Sequence, residues 1–498
     1  MISNRKSGVL LHITSLPSKY GVGTLGKEAY EFVDWLAKAK MTIWQVLPLV
    51  PTNYGDSPYQ SVSSTALNYY LIDFDILNSK GLLEKKDYNK ERFSFTDNHV
   101  DYEILFNKKI NILKKAFNNF NINDKKFKKF VNDGEYKDFG VFMTLKAMHD
   151  YRPWKDWTII YKSYSKSLEE SVIKNYENDY LFWVWTQYEF LNEWNDLKKY
   201  ANKKNISIMG DMPLYVAYDS VEIWKNHEMF ILNDDLSLKL VAGCPPDAFT
   251  EDGQLWGNPV YNWDYLKEHN YDFWKKRINE GFKLFDILRL DHFRGFDRFY
   301  AIKATDINAR NGVWLDGPKF DLFKDMLDLK IVAEDLGVID DGVKELMKQT
   351  NYHGMKVLEF AFDGHKDNEH KPSNYTNNYV VYTGTHDNMP LFQYISDLDL
   401  KSLETLKEDL IKECKLMNVI PNVSTIKGIT KTIIELGFAS KADMCIIPMQ
   451  DLLCQDKNSR MNLPSTVSKD NWSYRINKKN LTDALANRLS NYVSKYRS

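Results

Sequence analysis

Eight short apolar runs recur along the chain, and helical stretches separate most of them. They are GVLLHI (8–13), TIWQVLPL (42–49), ISIMGDMPL (206–214) and FDILRLDHF (285–293). KIVAEDLG (330–337), GMKVLEFAF (354–362), YVVYTGTHD (379–387) and ADMCIIPMQD (442–451) follow. Each is nearly continuous in apolar residues instead of alternating apolar with polar. Continuous runs suit strands covered on both faces, as in a parallel sheet. Between them, GKEAYEFVDWLAKAK (26–40), FWKKRINEGFKLF (273–285) and DLDLKSLETLKEDLIKECKLM (397–417) place apolar residues at helical spacing. Strand and helix in alternation predict an α/β fold, a (β/α)8 TIM barrel with inserted, largely helical subdomains. An open doubly wound sheet is the alternative. No G-x-G-x-x-G follows an early strand, which counts against its dinucleotide-binding form.

The chain has 498 residues, long enough for one large catalytic barrel domain with insertions. A barrel needs only a helix between its second and third strands, so residues 52–205 read as an inserted subdomain. A smaller insertion spans about 225–272, between strands three and four. Within the first, NKKINILKKAFNNFNINDKKFKKFV (107–131) reads as solvated amphipathic helices. YLFWVWTQYEFLNEWNDLKKYANKKN (180–205) reads as a long helix that covers the barrel with its aromatic side.

The net charge of −2 offers no basic field for nucleic acid or an anionic membrane. The four cysteines form no C-x-x-C pair, fit no metal-ligand spacing and suit a reducing, cytoplasmic setting. No run approaches the roughly 18–20 apolar residues of a membrane helix, and the first twenty residues make a poor signal peptide. Aromatic residues reach 14% of the chain. Most serve a large core, but aromatic planes also pack against the C–H face of a sugar ring.

Catalytic residues of a barrel come from the C-terminal ends of its strands. Those ends carry Asp211, then Arg289, Asp291 and His292, then Glu334 and Asp335, then His386, Asp387 and Asn388. A charge where a strand leaves the core is costly unless it is paired or used. Of the adjacent acids Glu334 and Asp335, one must face away from the barrel axis, and Asp335 reads as structural. Two uses of such a rim compete. Carboxylates on successive strands can bind Mg2+, or they can do nucleophilic and acid–base work at a glycosidic bond. Arg289, two residues from Asp291, favours the second, because a guanidinium beside a metal ligand gains nothing. The aromatic loops NYGDSPYQ (53–60) and GQLWGNPVYNW (253–263) suit an uncharged polyol.

GDSPYQ, GDMPLYVAYDS (210–220), PPDAFTEDGQLWGNPVY (245–261), RLDHFRG (289–295), AEDLG (333–337), GMKVLEFAF and THDN (385–388) occur in that order. This series resembles the 4-α-glucanotransferases, the amylomaltase or disproportionating-enzyme family related to the α-amylases. The likeness runs from GVLLHITSLPS (8–18) to SRMNLPSTVSKDNWSYR (459–475). It implies retaining transfer of α-1,4-glucan segments between maltooligosaccharides, with no metal and no organic cofactor. By the resemblance, Asp291 is the nucleophile, Glu334 the general acid/base and Asp387 the transition-state stabiliser. A retaining pair stands about 5–5.5 Å apart. The resemblance also places Tyr59 against the sugar at the cleaved bond, with Asp211, His292 and His386 on its hydroxyls. Trp256 and the loop around Asp247 and Phe249 edge the acceptor side, Asn462 reaches the donor side, and Tyr54 and Ser57 are either contacts or loop structure. Glu359 in KVLEF either adds a carboxylate facing the barrel or pairs with a basic neighbour.

Overall fold

The computed structural model describes residues 5–246, 251–337 and 339–497. Eight parallel strands form the central sheet. In chain order they are β1 (Lys6–Leu10), β2 (Ile43–Gln45), β3 (Ser207–Met212), β4 (Ile287–Leu290), β5 (Ile331–Ala333), β6 (Gly354–Val357), β7 (Tyr379–Tyr382) and β8 (Met444–Pro448). Neighbours in space are neighbours in sequence, and β8 returns to pair with β1. The remaining seam, between β5 and β6, is joined by a single parallel bridge from Val332 to His353. Ala333 N donates there to His353 O at 2.8 Å. The (β/α)8 barrel predicted from the apolar runs is therefore the observed architecture, with β5–β6 as its least knitted seam.

The strands are shorter than the apolar runs, for local reasons. The fourth run spans nine residues, yet β4 stops at Leu290. His292 turns the chain out of the ladder with a left-handed φ of 48°. That conformation is uncommon outside glycine and asparagine. After β2, two prolines deny the chain further ladder donors. Close strand packing also needs missing side chains: a Cβ at Gly210 in β3 would lie 2.1 Å from the Phe285 ring.

Helices cover the barrel. Lys27–Lys38 buries Phe32, Val33 and Leu36, and Asp272–Leu284 buries Trp274 and Ile278. Between β2 and β3 the chain runs through several helices, ending in the long helix Glu177–Lys203. Its Trp183, Trp185 and Trp194 are fully buried, and Trp194 Nε1 donates to the Leu284 carbonyl at 3.1 Å. The expectation of solvated lysines on the helix Tyr102–Asn118 fails at one position. Lys109 is buried, and its ammonium lies 4.6 Å from the centre of the Phe74 ring. The helix turns that face into the core, and the cation trades water for an aromatic face.

A second, antiparallel sheet of four strands stands beside the barrel: Leu240–Cys244, Gln254–Pro259, Arg298–Lys303 and Val313–Asp316. The sequence reading placed no strands there, because these segments fall outside the strand–helix alternation that it followed. Among the described residues, no helix is long and apolar enough to cross a membrane.

Candidate active site

The strand ends converge on Arg289. Its Nη1 donates to both oxygens of Asp211, on neighbouring β3, at 2.7 Å each. Its Nη2 lies 2.9 Å from Asp291 Oδ1. Arg289 and Asp211 are buried, while Asp291 keeps about a quarter of its side chain exposed. The planar guanidinium fork suits two carboxylates at once. One cation thus neutralises two acids, and only Asp291 opens into the cleft. Below them Tyr382 donates its hydroxyl to Gln45 Oε1 at 2.9 Å, closing the barrel floor.

Glu334 leaves the end of β5 beside this group. Its Oε2 accepts from the His292 N–H at 2.8 Å, and its Oε1 accepts from the Leu336 N–H at 2.9 Å. The left-handed turn at His292 aims that N–H at the carboxyl. Burial pushes the Glu334 carboxyl up to about 7, and the Asp291 charge adds to this against the pull of Arg289 and the two N–H donors. Desolvation and a like charge both favour the neutral acid. The two carboxyls differ accordingly. Asp291 is held by a cation, and Glu334 keeps its proton up to about pH 7. Asp335 faces away, accepting from the Met355 N–H at 2.6 Å, in keeping with a structural role.

Asp387 stands past β7 with 44% of its side chain exposed. Asn462 Nδ2 donates to its Oδ1 at 2.7 Å, and His386 Nε2 lies 3.4 Å from the same oxygen. Arg460 donates to the Asp387 carbonyl at 2.5 Å and to the Asn462 carbonyl at 2.7 Å. The segment around 460 is therefore pinned to the THDN loop.

Aromatic rings roof the acids. Tyr59 donates to Asp211 Oδ2 at 2.8 Å, and its ring stacks on His386 with 5.0 Å between centres. Trp472 lies 5.5 Å from Tyr59 and 5.7 Å from His386. On another side Trp256 meets His292 edge to face at 4.9 Å. Burial lowers the His292 imidazole to about 4, so it is neutral at pH 7. Ser57 Oγ accepts from the Tyr59 N–H at 3.1 Å and shapes the turn that presents the ring. Tyr54 is 73% exposed. Asp247 and Phe249 lie outside the described residues.

Among the described residues, no three or more His, Cys, Asp or Glu side chains are arranged to share a metal ion. The arrangement provides a cation-held carboxylate, a protonated carboxyl beside it and an aromatic cleft. Such a cleft can bind a sugar ring and cleave at its anomeric carbon.

The family model for 4-alpha-glucanotransferase matches residues 11–482. The chain belongs to the 4-alpha-glucanotransferase family. It is 42% identical to a 4-alpha-glucanotransferase of Clostridium butyricum, over 96% of this chain and 98% of that one. A 4-alpha-glucanotransferase of Streptococcus pneumoniae is 39% identical over 100% and 98%. Among solved structures, an amylomaltase from Streptococcus agalactiae in complex with acarbose superposes with a TM-score of 0.92. It is 39% identical, over 99% of both chains.

In this 4-alpha-glucanotransferase family member, two residues at the site escaped the sequence reading. Trp472 and Arg460 sit in the late segment SRMNLPSTVSKDNWSYR, more than 70 residues from their partners in the loops before β3 and after β7. Only their place inside a family-like motif signalled them. Glu359 is resolved as well. It points towards the end of β7, where Oε2 is buried 3.6 Å from a Cβ position at Gly384 and the Asn388 side chain supports the carboxyl. Burial pushes its carboxyl up to about 7.

Proposed function

We propose that this family member transfers α-1,4-glucan segments by retaining double displacement. Asp291 attacks the anomeric carbon, and Glu334 gives its proton to the departing glucan oxygen. The bond to the leaving group breaks as the Asp291–C1 ester forms. The 4-hydroxyl of an incoming glucan then attacks C1, Glu334 takes its proton and Asp291 leaves. Two inversions give retention.

The observation that carries this reading is the different surroundings of the two carboxyls on adjoining strand ends β4 and β5. The Arg289 guanidinium lies 2.9 Å from Asp291. Burial pushes the Glu334 carboxyl up to about 7. A nucleophile beside a cation and a desolvated acid need such different surroundings.

Asp387 binds the hydroxyls of the sugar that carries the reacting carbon, and these bonds strengthen as the ring flattens. Asn462, His386 and Arg460 hold it in place. Tyr59 stacks on that sugar, with Asp211 and His292 at its hydroxyls. Trp256 edges the acceptor side. Transfer over hydrolysis needs an acceptor that outcompetes water of roughly 55 M, which calls for tight positioning and water exclusion. The Tyr59, Trp472, Trp256 and histidine rings supply apolar walls for both. The free thiols of Cys414, Cys445 and Cys454 agree with a reducing, cytoplasmic setting.

The test is to trap the ester. Glu334→Gln given a maltooligosyl fluoride, whose leaving group needs little protonation, should accumulate a glycosyl adduct. Peptide mass spectrometry should place it on Asp291. An adduct elsewhere, or direct displacement with no adduct, would sink the mechanism.

A further inference from the structure

A cavity of about 870 Å³ opens at the opposite end of the barrel from the site. It lies under the starts of β4, β5, β6 and β8, beside the thinly joined β5–β6 seam. Ile287, Val332 and Met444 form an apolar floor, and Tyr352 adds an aromatic wall. Its size falls in the range of small-molecule sites.

The charges around it are unbalanced. Lys6, Lys330 and Lys441 reach its edge. Lys6 is half-buried, and none of the three has a hydrogen bond or ion pair from its ammonium among the described residues. Burial first, and the Lys330 ammonium second, hold the Lys6 amine below its ordinary value, against a pull from Asp286. Asp286 itself is engaged by Asn202, the Ile208 N–H and Lys198. Among the described residues, the one acid lining the cavity, Asp443, is also committed. It lies 3.2 Å from His353 Nε2 and accepts from the Asn378 N–H at 2.9 Å. The guanidinium of Arg5 is directed to the carbonyls of Ser440 and Tyr496.

We propose that this end of the barrel binds a small phosphate-bearing molecule. Lys6 is half-buried and Lys330 is exposed at the rim, and a dianion between them would relieve their mutual repulsion. Lysine binds phosphate as a compact point charge with three donors. A bare phosphate fills only a fraction of the volume. The Tyr352 wall and the Asn351 and Asn378 side chains, which Asn378 Nδ2 links by donating to Asn351 Oδ1 at 3.4 Å and to the Tyr352 carbonyl at 3.1 Å, give a polar and aromatic edge that suits the polyol of a phosphate ester. The ligand would rest on β4 and β5, the strands whose far ends carry Asp291 and Glu334.

The experiment is calorimetric titration of the full chain in a phosphate-free buffer at low salt. The probes are ribose 5-phosphate, inorganic phosphate and ribose. The ester should bind with a dissociation constant of roughly 1 mM or tighter, weaken as salt rises and raise the melting temperature. Ribose should give no heat. Lys6→Ala/Lys330→Ala should bind the ester roughly tenfold or more weakly while disproportionating maltotriose normally. Without ligand, Lys330→Ala should melt no lower than the parent, because it removes a repulsion. Equal affinity for phosphate and ester would assign the site to free phosphate. No binding of either, or binding indifferent to the double substitution, would overturn the proposal without touching the transfer mechanism.

Discussion

Arg289 and Asp291 are two residues apart in sequence, and their side chains meet at 2.9 Å. The same guanidinium grips both oxygens of buried Asp211. Arg289→Ala would leave Asp211 buried with only the Tyr59 hydroxyl. Breaking a buried pair in this way costs about 3–5 kcal/mol. A urea denaturation series should register that loss, and Arg289→Lys, unable to fork to both acids, should recover only part of it.

Asp291→Asn should fold like the parent, since Asp291 is the partly open partner in this group. Its turnover should fall by roughly four orders of magnitude or more, a drop of about 5 kcal/mol or more in transition-state stabilisation. Circular dichroism and initial rates measured side by side check both halves. A folded variant with substantial activity would remove Asp291 from the mechanism.

The pH profile has a definite sign. Glu334 is protonated below about 7 and loses its proton above. A general acid works in its protonated form, so kcat should decline on the alkaline side with an apparent pKa near 7. Glu359 also has a carboxyl pushed up to about 7. Glu359→Gln separates them: the alkaline limb should remain in this variant, because the acid that moves the proton is Glu334.

Tyr59 contributes a stacking ring and a hydroxyl. Tyr59→Phe keeps the stack on His386 and loses the bond to Asp211, for a loss of ~10-fold in kcat/KM. Tyr59→Ala loses both and should fall further, with the additional loss seen mainly in binding short donors.

Lys109 tests the inserted helices. Burial lowers its amine to about 7, against weaker pulls from Asp73 and Glu193. The unfolded chain holds that proton up to about 10.4. A depressed lysine pKa means that folding releases a proton between these values, so stability rises as pH climbs from 7 to 10. Lys109→Met should lose this slope and be the more stable protein at pH 7. Melting curves across that range report it.

The barrel was legible because buried parallel strands need unbroken apolar runs, and this chain has eight. The rim acids were legible because Asp211, Asp291, Glu334 and Asp387 sit where those runs end. Their pairing was less so. Arg289 beside Asp291 followed from two-residue spacing, but its fork to Asp211 depends on the register of β3 against β4, which sequence does not encode locally. Trp472 and Arg460 reach the site through long-range packing, and only the family-like motif around them marks them. The antiparallel sheet was missed because its strands lie outside the strand–helix alternation, and Val313–Asp316 is half-exposed. Lys109 was misread because helical periodicity assigns lysine to water, and here the faces of Phe74 and Tyr20 took water's place.

The central claim is glucan transfer, and maltotriose tests it most directly. The purified chain is incubated with maltotriose and EDTA, and both chain lengths and total reducing ends are followed. The account predicts free glucose and a ladder of longer maltooligosaccharides while reducing ends stay constant. Rising reducing ends without longer products would make the protein a hydrolase and contradict the account.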